Sequence, residues 1–548
     1  MGSAAVAADR LRGAIGQDRA VRAALQVEAP APQVSADEVQ GTRWRGASRT
    51  LRSLQRWLAP TGSATSDLQR HELTTLRARS RDAMRNTPIG RSALLRCRTS
   101  VVGTGLVCRP AVDHAALGIS GDEAEVISAK LRASWERWAE EPAECDAEAA
   151  LDFYGLQALS LLSAMASGDV FVLTPHELRH GGVSELKVQL VEADRISNPN
   201  EAGDTPSCID GIAIFGATPV GCWIRNTHPG DAVDVRMPAW QFYPYFGEQT
   251  GRRRVLHIWN DKERPGQVRG APYLAPILEP LKQLERYGDA ELMAAVISAM
   301  FTVFIERDKE MHDEQGNAIG FVGTSDEQPT IALGNGAVVD LAPGEKATSQ
   351  ALNRPNVNFD PFFTAIVKQI GACLELPLDV LMLQFDRSYS AARAAMLEAW
   401  RFFNLRRWFL VQQFCQPLYA LHVDEEVASG RLVLPGYADP IRRRAWTRAL
   451  WIGPARGSMD EQKEASAAET RIRIGVSNEA METAAMNGED WNAVYAQRVR
   501  EVQRRKADGL FEIGRGSQSG ATASGARTAA PAADDEEDHA ESDQEDFA

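Results

Sequence analysis

The sequence predicts an α+β fold, mainly helical, and three observations carry that reading. Short apolar runs broken by Gly, Pro and Asp occupy the stretch from about residue 170 to about residue 260, a strand-and-turn pattern. Beyond it, apolar residues recur at three- and four-residue steps, the period of amphipathic helices. The change falls at one basic, Gly/Pro-rich loop, Arg264-Pro265-Gly266-Gln267-Val268-Arg269-Gly270, which feeds a long apolar helix running to Ile305. With 548 residues, 44% of them hydrophobic, the chain is long enough for several domains with proper cores, a domain taking roughly 100–200 residues.

Taken in order, residues 1–40 are Ala-rich and polar without periodicity and are expected to be poorly ordered. Trp44, Leu51, Leu54, Trp57 and Leu58 among arginines predict a short basic amphipathic helix that Pro60-Thr61-Gly62 ends. Asp67–Val102 reads as helical, with Arg70, Arg77, Arg81 and Arg85 on one face. Pro88 starts a second helix within it, capped by Thr87, because proline fits a first turn. Val101–Val107 reads as a bent strand. Its Gly103 and Gly105 resemble the start of a dinucleotide fingerprint, but position 108 is Cys and no parallel βαβ pattern follows, so a glycine turn is the better reading.

Ser120–Glu141 is a helix opened by Ser120 or Asp122, with Val126, Ile127, Leu131, Trp135 and Trp138 on one side. Phe153–Ser167 is another, closed by Gly168. Strands are predicted at Val170–Leu173, Leu186–Val191, Ile209–Phe215, Val220–Ile224 and Val255–Trp259, with turn signals spaced for antiparallel sheet. From Pro272 the pattern is helical: Leu274, Ile277, Leu278, Leu281 and Leu284 form one stripe, and from Leu292 the helix is apolar nearly all round. Such a helix is buried on several sides, by its own chain or by neighbouring copies. Pro276 suits a first turn, whereas Pro280 requires a helix start or a kink.

Arg307–Gly344 is a polar insertion with short strands at Thr330–Leu333 and Ala337–Leu341. Asp360–Leu374 is helical and stopped by Pro377. Ser390–His422 is a long helix bent at Pro417, and Ser458–Ile474 and Ser477–Arg505 are helices leading to a Gly/Ser/Ala linker and an acidic tail, both expected to be disordered.

Composition narrows the function. The seven cysteines are scattered, with no CxxC pair, which argues against a disulfide framework or zinc ribbon and fits a reducing compartment. No signal-peptide pattern is visible at the N-terminus, and Leu292–Ile305 falls short of the roughly 18 residues a membrane span needs, so a soluble protein is expected. The net charge is −14, unevenly spread: Gly41–Pro110 holds fourteen Arg against three acids, and Asp534–Asp546 holds nine acids without Lys or Arg. A protein gripping nucleic acid over its whole surface would be basic, so any DNA contact here is local or loose.

Catalytic patterns are few. His176-Glu177-Leu178-Arg179-His180 matches HExxH, whose two histidines and glutamate would serve a zinc hydrolase if the segment lay on a long helix. Pro175 before it and Gly181-Gly182 after it leave room for one turn at most, and a hairpin loop is the better reading. There is no P-loop, no GxSxG elbow and no acidic cluster spaced for two-metal chemistry, so no catalytic residue, metal or cofactor is expected. His257 reads as a hydrogen-bonded structural residue.

The order of segments is more specific than any motif. Arg79-Ser80-Arg81-Asp82-Ala83-Met84-Arg85-Asn86 leads to Val101-Val102-Gly103-Thr104-Gly105, then Val191-Glu192-Ala193-Asp194-Arg195-Ile196. His257 with the Arg264–Gly270 loop follows, then Tyr287-Gly288-Asp289-Ala290-Glu291-Leu292, and last Tyr389-Ser390-Ala391-Ala392-Arg393-Ala394-Ala395-Met396-Leu397-Glu398. In this the chain resembles the lambda-type portal proteins of tailed bacteriophages from roughly Leu76 to Asp424, although Ser390-Ala391 replaces the family's usual serine pair.

The resemblance implies a portal fold of wing, stem, clip and crown, assembled as a ring of about twelve copies at a capsid vertex with double-stranded DNA passing through the axis. On this chain it implies a flexible basic arm at 1–65, a wing at 66–271, stem helices at 272–305 and 359–376, and a clip at 306–358. A tunnel loop follows at 377–389, a long wing/tunnel helix at 390–424, a crown-side helical region at 425–510 and a disordered acidic tail at 511–548. Gln384, Asp386 and Arg387 would face DNA without reading its sequence. Leu292, Val296, Met300 and Phe304 would pack stem against stem, and Arg264, Gln267 and Arg269 would form the wing–stem joint, the arginines tying subunits together. Implied partners are the terminase large subunit, which would hydrolyse ATP, the major capsid and scaffolding proteins, and a head-completion or neck adaptor, with no membrane. The alternatives are the zinc hydrolase and another kind of capsid or neck protein.

Overall fold

The computed structural model describes residues 51–54, 56–57, 62–68, 70–231, 239–259, 262–300, 304–307, 345–348, 358–384, 388–457 and 460–510. The chain divides into two compact units, Met1–Ser63 and Ala64–Ala548. In the first, the backbone makes consecutive turns, Leu54 N–H donating to Leu51 and Trp57 N–H to Leu54; the rest of the predicted basic helix lies outside the described residues.

The second unit opens with helices α1 (Arg70–Asn86) and α2 (Pro88–Val101), split at Pro88 as the sequence predicts. Thr87 occupies the N-cap, but its hydroxyl donates back to the Ala83 carbonyl at 2.6 Å instead of accepting from the new helix. The expected strand at 101–107 begins later: after a glycine turn, β1 is Val107–Pro110. Helix α3 (His114–Leu117) leads to α4 (Gly121–Ala139), which starts with a capping box between Ser120 and Glu123. Its inner face carries Leu131, Trp135 and Trp138; Val126, expected there, is exposed. Short α5 (Pro142–Cys145) and α6 (Phe153–Ser167) follow.

All the named strand pairs among the described residues are antiparallel. A three-stranded sheet has the order β3 (Gln189–Glu192), β2 (Asp169–Leu173), β8 (Val255–Trp259), and a four-stranded sheet runs β4 (Cys208–Ile209), β5 (Ile212–Phe215), β6 (Thr218–Arg225), β7 (Trp240–Pro244). Strand β7, Trp-Gln-Phe-Tyr-Pro, was not anticipated: its apolar residues do not alternate cleanly and it sits at a sheet edge. Every residue of β2 is buried, because α6 covers one face. On the other, Phe171 and Leu173 join Ile212, Cys222, Ile224 and Tyr245 of the second sheet in a small core.

Helix α7 is Leu278–Met300, preceded by a 3₁₀ turn at Ala275–Ile277. Pro280 therefore lies in the first α-helical turn, where its missing N–H costs nothing. The helix ends before the expected Ile305. Phe304 belongs instead to β9 (Phe304–Arg307), paired with β10 (Glu345–Thr348) in the register Phe304↔Thr348 to Arg307↔Glu345. The strands expected at Thr330–Leu333 and Ala337–Leu341 lie outside the described residues. Helices α8 (Phe359–Cys373) and α9 (Leu378–Met382) follow, so the expected loop at 377–389 is not loop throughout.

Helix α10 (Tyr389–Leu410) continues through a π-turn at Val411–Cys415 into α11 (Gln416–Ala428). The sequence expectation of a bend at Pro417 has its physical basis here. Proline offers no N–H and crowds the carbonyl four residues back; a wider turn, with Gln416 N–H reaching the Val411 carbonyl, absorbs it. The turn sends the Gln413 side chain to the Trp259 N–H of β8 at 2.8 Å.

The chain then forms α12 (Pro440–Trp446) and β11 (Ala449–Ile452), which pairs with β1 far back in the sequence. Around that pairing Trp135, Trp138, Phe153, Phe414, Tyr419, His422 and Trp451 pack as an aromatic nest, Phe153 stacking on Phe414 with centroids 5.3 Å apart. The chain closes with α13 (Glu461–Arg473), α14 (Glu479–Met486) and α15 (Trp491–Ala507). The expected single helix from Ser477 is broken at Asn487-Gly488, where Gly488 takes a φ of 74°.

Candidate functional site

The Arg264–Gly270 loop ends in a buried charge network centred on Asp169, the first residue of β2. Arg269 donates to Asp169 from Nε (2.7 Å) and Nη2 (3.2 Å), and Arg77 of α1 donates from Nη2 at 3.0 Å. His257 Nε2 lies 3.1 Å from the same carboxylate, and the Gly270 N–H adds a fourth partner at 3.1 Å. Arg269 Nη1 goes on to Asp210 Oδ2 at 2.8 Å and to two main-chain carbonyls, and Nη2 reaches Ala193 O.

Burial would by itself push the Asp169 carboxyl up. The Arg269 and Arg77 guanidiniums, with the His257 bond, outweigh it and hold the group well below the usual carboxylate range. His257 is pushed down, burial outweighing the nearby carboxylate, so it stays neutral and donates from Nε2. Backbone geometry explains why the loop lies so close. Gly168, at φ 94°, faces Gly270, and a Cβ on either would come within 2.2 or 2.1 Å of the other's carbonyl oxygen.

The network answers the expectation for Arg264, Gln267 and Arg269 residue by residue. Arg269 spends its donors inside its own chain, on Asp169, Asp210 and the Ile196 and Ala193 carbonyls, and Asp169 in turn links it to Arg77 of α1. Gln267 is buried too, its amide donating to Arg269 O at 2.9 Å while its oxygen accepts from the Glu263 N–H. Arg264 pairs with Asp67 at the surface. Sequence reasoning missed Asp169, Arg77 and Asp210. The one available signal was an acid opening a strand, Asp-Val-Phe-Val-Leu, that is otherwise wholly apolar.

Beyond the loop, α7 and α8 pack side by side, Tyr287 lying against Phe359 (5.4 Å) and Phe362 (5.1 Å). The far half of α7 leaves apolar side chains in solvent: Leu292 is 67% exposed, Met293 59% and Val296 41%. Phe362 on α8 and Leu397, Leu405 and Trp408 on α10 are also exposed. Met300 ends α7, and Phe304, expected on the same helix, stands on β9 instead. Gln384 is exposed just after α9, next to Leu383, which takes a left-handed φ of 55°. Asp386 and Arg387 lie outside the described residues.

The HELRH segment lies in the β2–β3 hairpin connection. His176 bridges to Leu186, and Arg179 is occupied by the Ala143, Asp146 and Ala147 carbonyls. The long helix a zinc protease needs is replaced by extended chain, so His176 and His180 do not share a helical face. Among the described residues no cluster of His, Cys, Asp or Glu is arranged to hold a metal, and no helix is long and apolar enough to cross a membrane.

The body is thus helical with antiparallel sheets, and two of its long helices, α7 and α8, lie side by side. Residues 50–407 match the family described as phage portal protein, lambda family, and the chain belongs to that family. It is 27% identical to portal protein B of Escherichia phage lambda, over 83% of this chain and 88% of that one. It is 27% identical to the portal protein of Escherichia phage N15 over 83% and 89%. The probable portal protein of Halomonas phage phiHAP-1 is 24% identical over 90% and 92%. Among solved structures, a chain in the neck of a native GTA particle computed with C12 symmetry is similar at a TM-score of 0.39 and 12% identity, covering 76% of this chain and 93% of that one.

Proposed function

We propose that copies of this chain close into a ring of about twelve at a capsid vertex and form the conduit through which double-stranded DNA enters and leaves the head. The single observation that carries the ring, given the family, is the apolar surface that α7 leaves exposed at Leu292, Met293 and Val296. Patches of this kind mark interaction surfaces, and heterologous contacts that close by rotation give rings.

In this reading 66–271 is the wing, α7 and α8 the stem, 306–358 the clip that docks the terminase motor and later the neck, and 377–389 the tunnel loop. Residues 390–424 span wing and tunnel, and 425–510 form the crown. The Arg264–Gly270 loop, anchored on Asp169, is the joint between wing and stem. Gln384, Asp386 and Arg387 meet the DNA backbone without reading sequence, and a chain carrying a charge of −14 does not clamp every passing phosphate. The protein performs no catalysis itself; ATP hydrolysis belongs to the motor. The test is native mass together with electron micrographs of the purified chain: a closed ring with a central channel is expected, and a monomer at every concentration overturns the reading.

A further inference from the structure

The three C-terminal helices do not bury enough to stand alone. Helix α15 has no buried residue in its 17, α13 buries only Ala468 and α14 only Glu482. Isolated helices of this length are marginal in water. What holds them is a few ion pairs: Arg471 of α13 to Glu482 of α14 (2.8 and 2.6 Å), and Asp490, at the start of α15, to Arg132 (2.5 Å) and Arg109 (3.4 Å). Between the helices lies an open groove of about 1230 Å³. Ile472 and Met486 along it are substantially exposed, as are Ile474, Val476 and Met481 nearby.

The groove and the helix beside it carry opposite, unsatisfied charge. Five glutamates line it against two arginines, Arg473 and Arg498; Glu464 and Glu482 are paired, while Glu461, Glu469 and Glu479 have no ionic partner among the described residues. Helix α15 contributes to the wall only as far as Arg498. Its remaining residues, Val499–Ala507, overhang the groove by about 13 Å at 1.5 Å per residue. That overhang carries Arg504 and Arg505, exposed and likewise without an acid. Although Glu501 lies one turn away on the same helix, Arg504 and Arg505 form no ion pair within their own copy among the described residues, whereas a second copy displaced sideways can present them to the groove.

We infer that the basic end of α15 of one copy seats in the acidic groove between α13 and α14 of the next, a head-to-tail contact that repeats around the ring. The occupant is a second copy of this chain because both halves of the complementary pair are on it and neither meets the other within one copy. The contact is heterologous, the kind that closes by rotation. It rests on the ring reading above but is separate from the α7 surface, and it makes the C-terminal helices an electrostatic clasp whose strength falls with salt.

The test is charge reversal in the full chain. Arg504→Glu/Arg505→Glu and, separately, Glu469→Arg/Glu479→Arg are each expected to raise the protein concentration needed for rings by about tenfold, from the loss of two exposed ion pairs and the new repulsion. Combining all four changes is expected to restore wild-type assembly, which generic damage to the helices would not do. Rings from both double variants as stable as wild type, or no rescue in the combined variant, would overturn the clasp while leaving the ring reading standing. Intact rings of Arg504→Glu/Arg505→Glu that have lost binding to a duplex DNA probe would assign the basic end to DNA and also overturn it. A wild-type chain that forms no ring would overturn both readings.

Discussion

At Asp169 one fully buried carboxylate meets two guanidiniums, an imidazole and a main-chain N–H. Breaking a buried pair from one side costs more than the pair itself is worth, since the remaining charge is left without a counterion. Arg269→Lys keeps the charge but loses the planar fork that spans Asp169, Asp210 and the Ala193 carbonyl. It is expected to lower unfolding free energy by on the order of 1 to 3 kcal/mol, read by denaturant titration; a loss below about 0.5 kcal/mol would mean the network does not hold the loop. A second residue adds to the sensitivity to acid. His422 lies in the aromatic nest, hydrogen-bonded to Ser134 at 3.1 Å, and burial pushes it down to about 4. Its folded value is below its unfolded one, so the folded state takes up the proton later than the unfolded chain. Stability is full above about pH 6.5 and falls as pH drops from there towards 4, by on the order of 3 kcal/mol. His257 is shifted in the same direction. Thermal unfolding from pH 7.5 to 4.5 should show this slope, and His422→Gln should flatten it; an unchanged slope in the variant would assign the acid sensitivity elsewhere.

Among the elements, α7 is the one whose surface and sequence disagree for an isolated copy. Val296→Asp places a charge on its exposed apolar stripe, where a lone chain tolerates it well and a packed interface does not. The variant is expected to lose rings while keeping the far-ultraviolet spectrum and the melting of the remaining body; rings of normal mass from Val296→Asp would show that this helix is not a subunit contact. Much at this scale was legible in the sequence. Pro88 and Gly168 announced their breaks because proline and glycine act locally, and the antiparallel strands other than β7 announced themselves by turn spacing. What escaped depended on distant partners. The end of α7 was misplaced because Phe304 is as apolar as the helix before it, and only its pairing with Thr348 decides that it is strand. The Asp169 network escaped because its members, at 77, 169, 210, 257 and 269, share no spacing; folding alone brings them together. Arg269 was legible as part of a special loop, but whether it faced inward was not.

For the whole molecule, the resemblance of segment order reached the family before any single site did, and the family match over residues 50–407 agrees with it. The composition had already indicated why such a chain is mildly acidic, and the structure adds where the surplus sits. Exposed acids line one side of the C-terminal groove, while arginines crowd the last turns of α15. The molecule thus exposes two different surfaces, one apolar on α7 and one ionic near its C-terminus. As contacts between copies they would respond to salt in opposite ways, since screening weakens an ionic contact and does not weaken an apolar one.

The pairing of β1 with β11, Val107 against Ile452 through Pro110 against Ala449, also fixes a schedule. A ribosome adding about 5–20 residues each second takes on the order of tens of seconds to travel from one strand to the other. Throughout that interval the early strand is an open edge and the tryptophans of α4 lack the Trp451 that completes their nest. The body can close only after residue 452 has been made, so a chain still short of that point carries an unfinished core.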